Sequence, residues 1–213
     1  MAGTSRRWIG LSGIGGSIAL TVYFAAPAFL GWPYAGAPAT DLAAYASSRA
    51  TLFYAGAWFQ TTGTLLSVVF FIGLVALSGS SAKLSGLLTT VAATSLLALV
   101  LVEAALLVAV PMAATTGDLA TVATTFALSN GTFVRVFAIG PAPASYLALG
   151  AMLRDSRLLA PGFANGALLL GVAFAAAGVV AVFATAGLIV TIVLSILQEL
   201  WTVAAAVAVL RGR

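Results

Sequence analysis

Three ionisable side chains lie inside long apolar stretches of this sequence, namely Glu103, Arg135 and Glu199. A charged side chain in hydrocarbon costs at least ~2.5–3.5 kcal/mol, so such residues usually face the interior of a helix bundle and find a partner there. We therefore expect Arg135 to contact Glu103 or Glu199. An ion pair of this kind either fixes helix packing or belongs to a functional site, and a carboxyl group left unpaired could act as a proton donor.

Amide and aromatic side chains accompany these residues. Asn130 and Gln198 fall in the apolar stretches of Arg135 and Glu199, and Gln60 falls in a further apolar stretch, where Tyr54 and Trp58 place two rings close to it. Aromatic faces stabilise cations, so these five residues, together with Arg135, form the predicted ligand-binding set. Glu103 and Glu199 are the catalytic candidates if the protein is an enzyme. The alternative, an interfacial aromatic belt with ordinary packing, stays open.

Several kinds of chemistry are excluded by what the sequence lacks. It contains no cysteine and no histidine, which removes thiolate zinc sites, haem ligation by either residue and every Ser-His or Cys-His nucleophile. Motifs for nucleotides, divalent metals or hydrolases do not occur either. The basic residues are scattered singly or in pairs instead of forming a stripe. We expect no metal, no cofactor and no nucleic-acid partner.

The composition requires lipid around the chain. Of its 213 residues, 62% are hydrophobic and only 7% are charged, and the mean hydropathy is +1.15. A soluble domain carries roughly a quarter charged residues. The sequence therefore predicts an all-α, polytopic membrane helical bundle that forms a single domain over residues 1–213, with the lipid bilayer as its main partner.

Six apolar stretches are long enough to span a membrane, for which about 20 residues suffice. They cover residues 9–30, 51–77, 84–110, 119–153, 162–183 and 185–210. The fourth stretch is too long for one straight helix and contains Gly140, Pro141 and Pro143. Because proline and glycine interrupt helices, we predict a kink or break between Asn130 and Pro143.

The distribution of basic residues predicts the orientation, since Lys and Arg collect in cytoplasmic loops. One side of the predicted bundle holds Arg6, Arg7, Lys83, Arg154, Arg157, Arg211 and Arg213. The opposite side holds only Arg49. We expect a multi-pass protein of a bacterial inner membrane with both termini in the cytoplasm. Arg6 and Arg7 also have the outline of an export signal, but the apolar run after them is long enough to span, and we interpret it as the first helix.

Several short motifs resemble those of uncharacterised six-helix integral membrane proteins of a domain-of-unknown-function family, of the kind common in actinobacteria. The motifs are Leu158-Leu159-Ala160-Pro161-Gly162-Phe163, Gly166, Gly171, Leu200-Trp201-Thr202-Val203 and Asp41-Leu42-Ala43-Ala44-Tyr45 with Arg49. This resemblance implies the fold and no activity. Glu103 with Glu199 is also loosely similar to the carboxylate proton donors of small membrane terpene cyclases.

Two functions from different classes follow from these observations. The first is a non-catalytic protein that binds or passes a small lipophilic molecule, or supports a membrane partner, through a polar interior between helices two, three, four and six. The alternative is an enzyme that uses Glu103 or Glu199 as a general acid on an isoprenoid-like substrate. A channel is disfavoured, because a pore lined by opposite charges would trap ions.

Overall fold

The computed structural model describes residues 2–34, 36–183 and 187–212, and these ranges contain helices and connecting turns without any strand. In chain order the helices are α1 (Ala2–Leu30), α2 (Ala39–Ser48), α3 (Ala50–Leu77), α4 (Leu84–Thr116), α5 (Leu119–Gly131), a π-helical segment (Thr132–Phe137), α6 (Pro141–Ser156), α7 (Pro161–Phe183) and α8 (Gly187–Leu210). The predicted all-α bundle is confirmed.

Six helical stretches of the described chain are long and apolar enough to cross a membrane. They are Thr4–Leu30, Ala50–Leu77, Leu84–Thr116, Leu119–Ser156, Pro161–Ala181 and Ile189–Leu210. The fourth joins α5, the π-helical segment and α6. Two expectations fall outside the described residues, namely the start of the last stretch at residue 185 and the position of Arg213.

The six spans form a closed ring. Each span packs beside the one that precedes it in the chain, and α8 returns to pack on α1. Short connections make consecutive spans antiparallel. One end of the ring carries α2, and the opposite end carries the chain termini. A ring of this kind leaves a central axis onto which every span except α7 directs side chains that line a cavity.

The fourth span breaks where glycine and proline predicted it. After Gly131 the α-helix gives way to the π-helical segment, and a new helix begins at Pro141 after the turn at Gly140. Pro141 has no N–H to donate to the carbonyl four residues earlier, so the ordinary helical ladder cannot continue through it. The amide of Gly140 still bonds the carbonyl of Val136, at 3.0 Å. The prediction of a kinked or broken fourth helix is confirmed.

The third span is longer than predicted. Its helix passes through Pro111 and ends only at Thr116, six residues beyond the expected end. Gly117 is the true terminator, since its φ of 74° is the left-handed conformation that closes helices and its amide bonds the carbonyl of Ala114. Asp118 then starts α5 by accepting hydrogen bonds from Thr121, at 3.0 Å from the amide and 2.6 Å from the hydroxyl.

Two apolar clusters hold the bundle together, one toward each end. The cluster nearer the termini is built on Phe70, Phe71, Leu149, Met152 and Phe174. The cluster at the α2 end contains Leu42, Phe53, Leu107, Val122 and Phe126. α2 contributes Leu42 and Ala46 to this second cluster. The ring of Trp32, which precedes α2, packs 4.6 Å from that of Phe53 and 6.0 Å from that of Tyr45 in α2. The polar interior lies between the two clusters.

Candidate functional site

Glu103 occupies the level between the two clusters. Its neighbours on α4 are Val100, which belongs to one cluster, and Ala104, which belongs to the other. The side chain is 4% exposed. Its Oε1 accepts hydrogen bonds from the hydroxyl of Ser129, at 2.8 Å, and from the hydroxyl of Tyr23, at 3.3 Å. Its Oε2 has no partner among the described residues.

Glu199 has a similar arrangement on α8. It is 3% exposed, and its Oε1 accepts a hydrogen bond of 2.9 Å from the amide of Gln198. Ser17 of α1 lies close to it as well, outside the geometry of a direct hydrogen bond. Its Oε2 likewise lacks a partner in the described part of the chain. Each glutamate therefore has one oxygen held by the protein and one oxygen free.

Both glutamates line a single cavity on the axis of the ring. Gln60 and Thr64 come from α3, and Gln198 and Thr202 come from α8. Ser67 and Thr132 add two hydroxyl groups, and the rest of the wall is apolar and largely aromatic, from Leu20, Phe24, Phe71, Leu96, Leu99, Val100, Phe133, Phe137 and Tyr146. Aromatic rings lie beside carboxyl groups here, which is the arrangement that recognises organic cations.

The cavity is narrow in this conformation. Its volume is about 40 Å³, enough for about three water molecules at ~15 Å³ each. Pockets that bury a drug-sized ligand measure roughly 300–1,000 Å³. The wall would therefore have to move before a larger molecule could enter.

Several unused hydrogen-bonding atoms belong to cavity-lining side chains. Besides the two Oε2 atoms, the Oε1 of Gln60 and the Oγ of Ser67 have no partner among the described residues. An unsatisfied polar atom in an apolar interior costs about 1–3 kcal/mol. Three of the four are carboxyl or amide oxygens, which accept hydrogen bonds from N–H or O–H donors.

The predicted contact between Arg135 and a carboxylate is wrong. Arg135 is exposed on the outer face of the π-helical segment, and each glutamate has neutral hydrogen-bond partners instead. Phe133 and Phe137 face the cavity, and Arg135 stands two positions from each of them. Residues two apart point to different sides of a helix. An interior site in which Arg135 pairs with Glu103 or Glu199 is therefore excluded.

The other predicted site residues divide into two groups. Gln60, at 4% exposed, lines the cavity, and so does Gln198. Tyr54 and Trp58 are 45% and 60% exposed on the outside of α3, so their rings do not form the cavity wall. Asn130 is half-buried and donates to the carbonyl of Phe126 in its own helix, at 2.9 Å.

Two residues around the glutamates, Tyr23 and Thr202, were not predicted from the sequence. Tyr23 places a hydroxyl on Glu103, and Thr202 on α8 lies 3.5 Å from the hydroxyl of Tyr146. Thr202 follows Gln198 by four residues, a spacing that puts both on one helix face, and this signal was available. Tyr23 offered no comparable signal in an apolar helix.

The fold and the site together define a class of protein. It is a six-span helical bundle that fits a multi-pass membrane protein, with two glutamates lining a narrow central cavity. No family model matches the chain, and no curated protein or solved structure is significantly similar to it. The resemblances to six-helix bacterial proteins and to membrane terpene cyclases therefore stay predictions.

Proposed function

We propose that this protein is a multi-pass protein of a bacterial inner membrane, with both termini in the cytoplasm, that binds or passes a small lipophilic molecule carrying a positively charged amine. One observation carries the proposal. Two carboxyl groups, each with one oxygen that has no partner in the described part of the chain, line one aromatic cavity, and Arg135 of the fourth span is exposed on the outer face of its helix.

The chemistry of the free atoms favours an ammonium group over an anion. An ammonium nitrogen donates up to three hydrogen bonds, and the Oε2 atoms of Glu103 and Glu199 and the Oε1 of Gln60 are free acceptors. Charge-assisted hydrogen bonds are roughly twice as strong as neutral ones. The rings of Phe71 and Tyr146 would cover the apolar part of the ligand.

Entry depends on the wall formed by α1 and the π-helical segment. The rings of Phe24 and Phe133 lie 5.5 Å apart there, and both side chains are half-buried. π-Helical segments occur frequently at functional sites. Movement of these two rings would widen the cavity toward the lipid, from which a lipophilic ligand arrives.

The test compares two probes of nearly equal shape, 1-adamantylammonium and its uncharged isostere 1-methyladamantane. Binding is measured by equilibrium dialysis of nanodiscs that contain the protein, with empty nanodiscs subtracted. We expect specific binding of the ammonium compound, weakened at least about tenfold, or ~1.4 kcal/mol, in the double variant Glu103→Gln with Glu199→Gln. The isostere should bind equally well to both proteins.

The matched control is Asp155→Asn, which removes an exposed acidic residue far from the cavity and should leave binding unchanged. Equal affinity of the two probes for the unmodified protein would contradict the cationic ligand. Ammonium binding by the double variant that is as tight as binding by the unmodified protein would also contradict the cationic ligand.

An acid-catalysed enzyme is the second candidate function. The observation that favours it is that Oε1 of Glu103 is held by Tyr23 and Ser129, while Oε2 stays free beside a cavity lined by aromatic rings. Such rings stabilise carbocations, and a fixed acid could protonate an alkene.

Incubation with squalene in D2O distinguishes the enzyme from the binding protein. Deuterated cyclic products that disappear with Glu103→Gln or Glu199→Gln would favour the enzyme, and unchanged squalene would count against it.

A further inference from the structure

Arg135 stands in an unusual place for a basic residue. It is 16 residues from Leu119 and 21 residues from Ser156, the two ends of the fourth span, which puts it near the middle of the membrane. The side chain is exposed, and nearby apolar residues of the same span are exposed too, namely Leu128, Val136 and Ile139. None of the described residues forms an ion pair or hydrogen bond with it.

A lipid-facing guanidinium costs at least ~2.5–3.5 kcal/mol, and intramembrane arginines are normally paired. The outer surface beside Arg135 has a shape that suits a partner. An apolar groove runs between α4 and α6 and is lined by Ala92, Ser95, Gly140, Ala144 and Ala148, among others. Small residues let a neighbouring helix approach closely in a bilayer.

The groove and the arginine lie on neighbouring parts of one surface. Gly140 follows Arg135 by five residues, beyond the end of the π-helical segment at Phe137 and the turn that follows it, and Gly140 is itself exposed in the groove. A helix seated in the groove and continued toward the α2 end of the bundle would pass beside Arg135.

A second copy of this chain does not supply the missing charge. The sequence contains five acidic residues. Glu103 and Glu199 are buried in the interior, whereas Asp41, Asp118 and Asp155 lie outside the middle of the spans, at or beyond helix ends. Copies in one membrane share an orientation, so none of these carboxylates reaches the level of Arg135 from outside.

We propose that Arg135 and the groove between α4 and α6 form a docking surface for a transmembrane helix of a different protein, one that carries an Asp or Glu near the middle of its span. The carboxylate pairs with Arg135, and the apolar face of the helix occupies the groove. This surface is separate from the central cavity and does not depend on what that cavity binds.

The experiment uses two designed probes, a 24-residue Leu/Ala transmembrane peptide with a single central Glu and the same peptide with Gln. Association with the labelled full-length protein is measured by energy transfer in phosphatidylcholine vesicles. We expect the Glu peptide to bind about tenfold more tightly than the Gln peptide, in line with hydrogen bonds between helices in membranes. Arg135→Gln should abolish this preference.

Two substitutions of alanine by leucine distinguish binding in the groove from a general effect of a larger side chain on the lipid-facing surface. Ala144→Leu fills the groove and should weaken binding of the Glu peptide, whereas Ala176→Leu on the exposed face of α7 should not. Equal binding of both peptides to the unmodified protein overturns the proposal. Native mass spectrometry provides a second contradicting outcome. If phosphatidylglycerol is retained through Arg135 and the protein does not prefer the Glu peptide to the Gln peptide, the arginine binds a lipid headgroup instead.

Discussion

Glu103 and Glu199 each have one protein-bound oxygen and one oxygen without a partner in the described chain, a pattern that differs from that of an ion pair that fixes helix packing. A buried ion pair that fixes helix register uses the oxygens of its carboxylate on its partner. Here the donors are neutral hydroxyl and amide groups that hold one oxygen, and the other has no partner among the described residues. Arg135 was expected to supply the opposite charge and lies on the outer surface instead.

Asp118 provides a pH-dependent cap for α5. Hydrogen bonds from the hydroxyl and then the amide of Thr121 lower the pKa of this carboxyl group below its usual range. A lowered pKa means that the stabilisation is present at neutral pH and is lost as the pH falls below about 4, the ordinary range for Asp. We expect Asp118→Ala to accelerate amide exchange in the first turn of α5 at pH 7.

The control is Asp118→Asn, because asparagine caps helices about as well as aspartate and does not titrate. Between pH 5 and pH 3, after correction for intrinsic exchange rates, the first turn should lose protection in the unmodified protein and keep it in the Asn variant. An identical pH response of the two proteins would contradict the assignment of this cap.

The elements meet at close crossings made by glycine. Gly16 of α1 faces Gly63 of α3 so closely that a Cβ on Gly16 would lie 2.6 Å from the hydroxyl oxygen of Ser67 and 2.8 Å from the carbonyl oxygen of Gly63. A backbone carbonyl cannot give way without moving the whole helix. This approach sets the rotation of α1 and thereby directs Leu20 and Phe24 into the cavity.

Gly16→Ala should therefore destabilise the bundle by about 1–3 kcal/mol, the usual cost of overpacking. The adjacent Gly15→Ala is a matched control, since its Cβ would meet only a leucine methyl at 3.5 Å and alanine improves helix propensity by up to ~1 kcal/mol. Unfolding in mixed micelles with increasing SDS measures both. Equal stability of the two variants would show that the crossing tolerates a side chain.

At the scale of the whole molecule, six antiparallel spans in a ring would place both ends of the chain on one side of a membrane. From the positive-inside rule we expect that side to be the cytoplasm. Reporter fusions that follow Lys83 and Arg157 should both give the cytoplasmic signal, and a fusion at Thr116 should give the opposite one. A split between Lys83 and Arg157 would mean that one of the intervening stretches does not cross.

Much of the architecture could be predicted because it depends on composition and local chemistry. Apolar length determines where a chain crosses lipid, and Pro141, which cannot donate a backbone hydrogen bond, determines where the fourth span breaks. The end of the third span was missed at Pro111, since proline is tolerated in membrane helices and Gly117 is the residue that closes the helix.

The sequence by itself determined that there are six apolar spans, and it identified Glu103, Glu199, Gln60 and Gln198 as interior polar groups. Only the tertiary structure decided which side of each helix turns inward. Lipid and protein interior are similarly apolar, so helices that are hydrophobic all round carry little record of their rotation. For that reason the sequence did not reveal that Tyr54 and Trp58 face outward. The rotation of a helix follows instead from contacts between helices, such as the approach of Gly16 to α3.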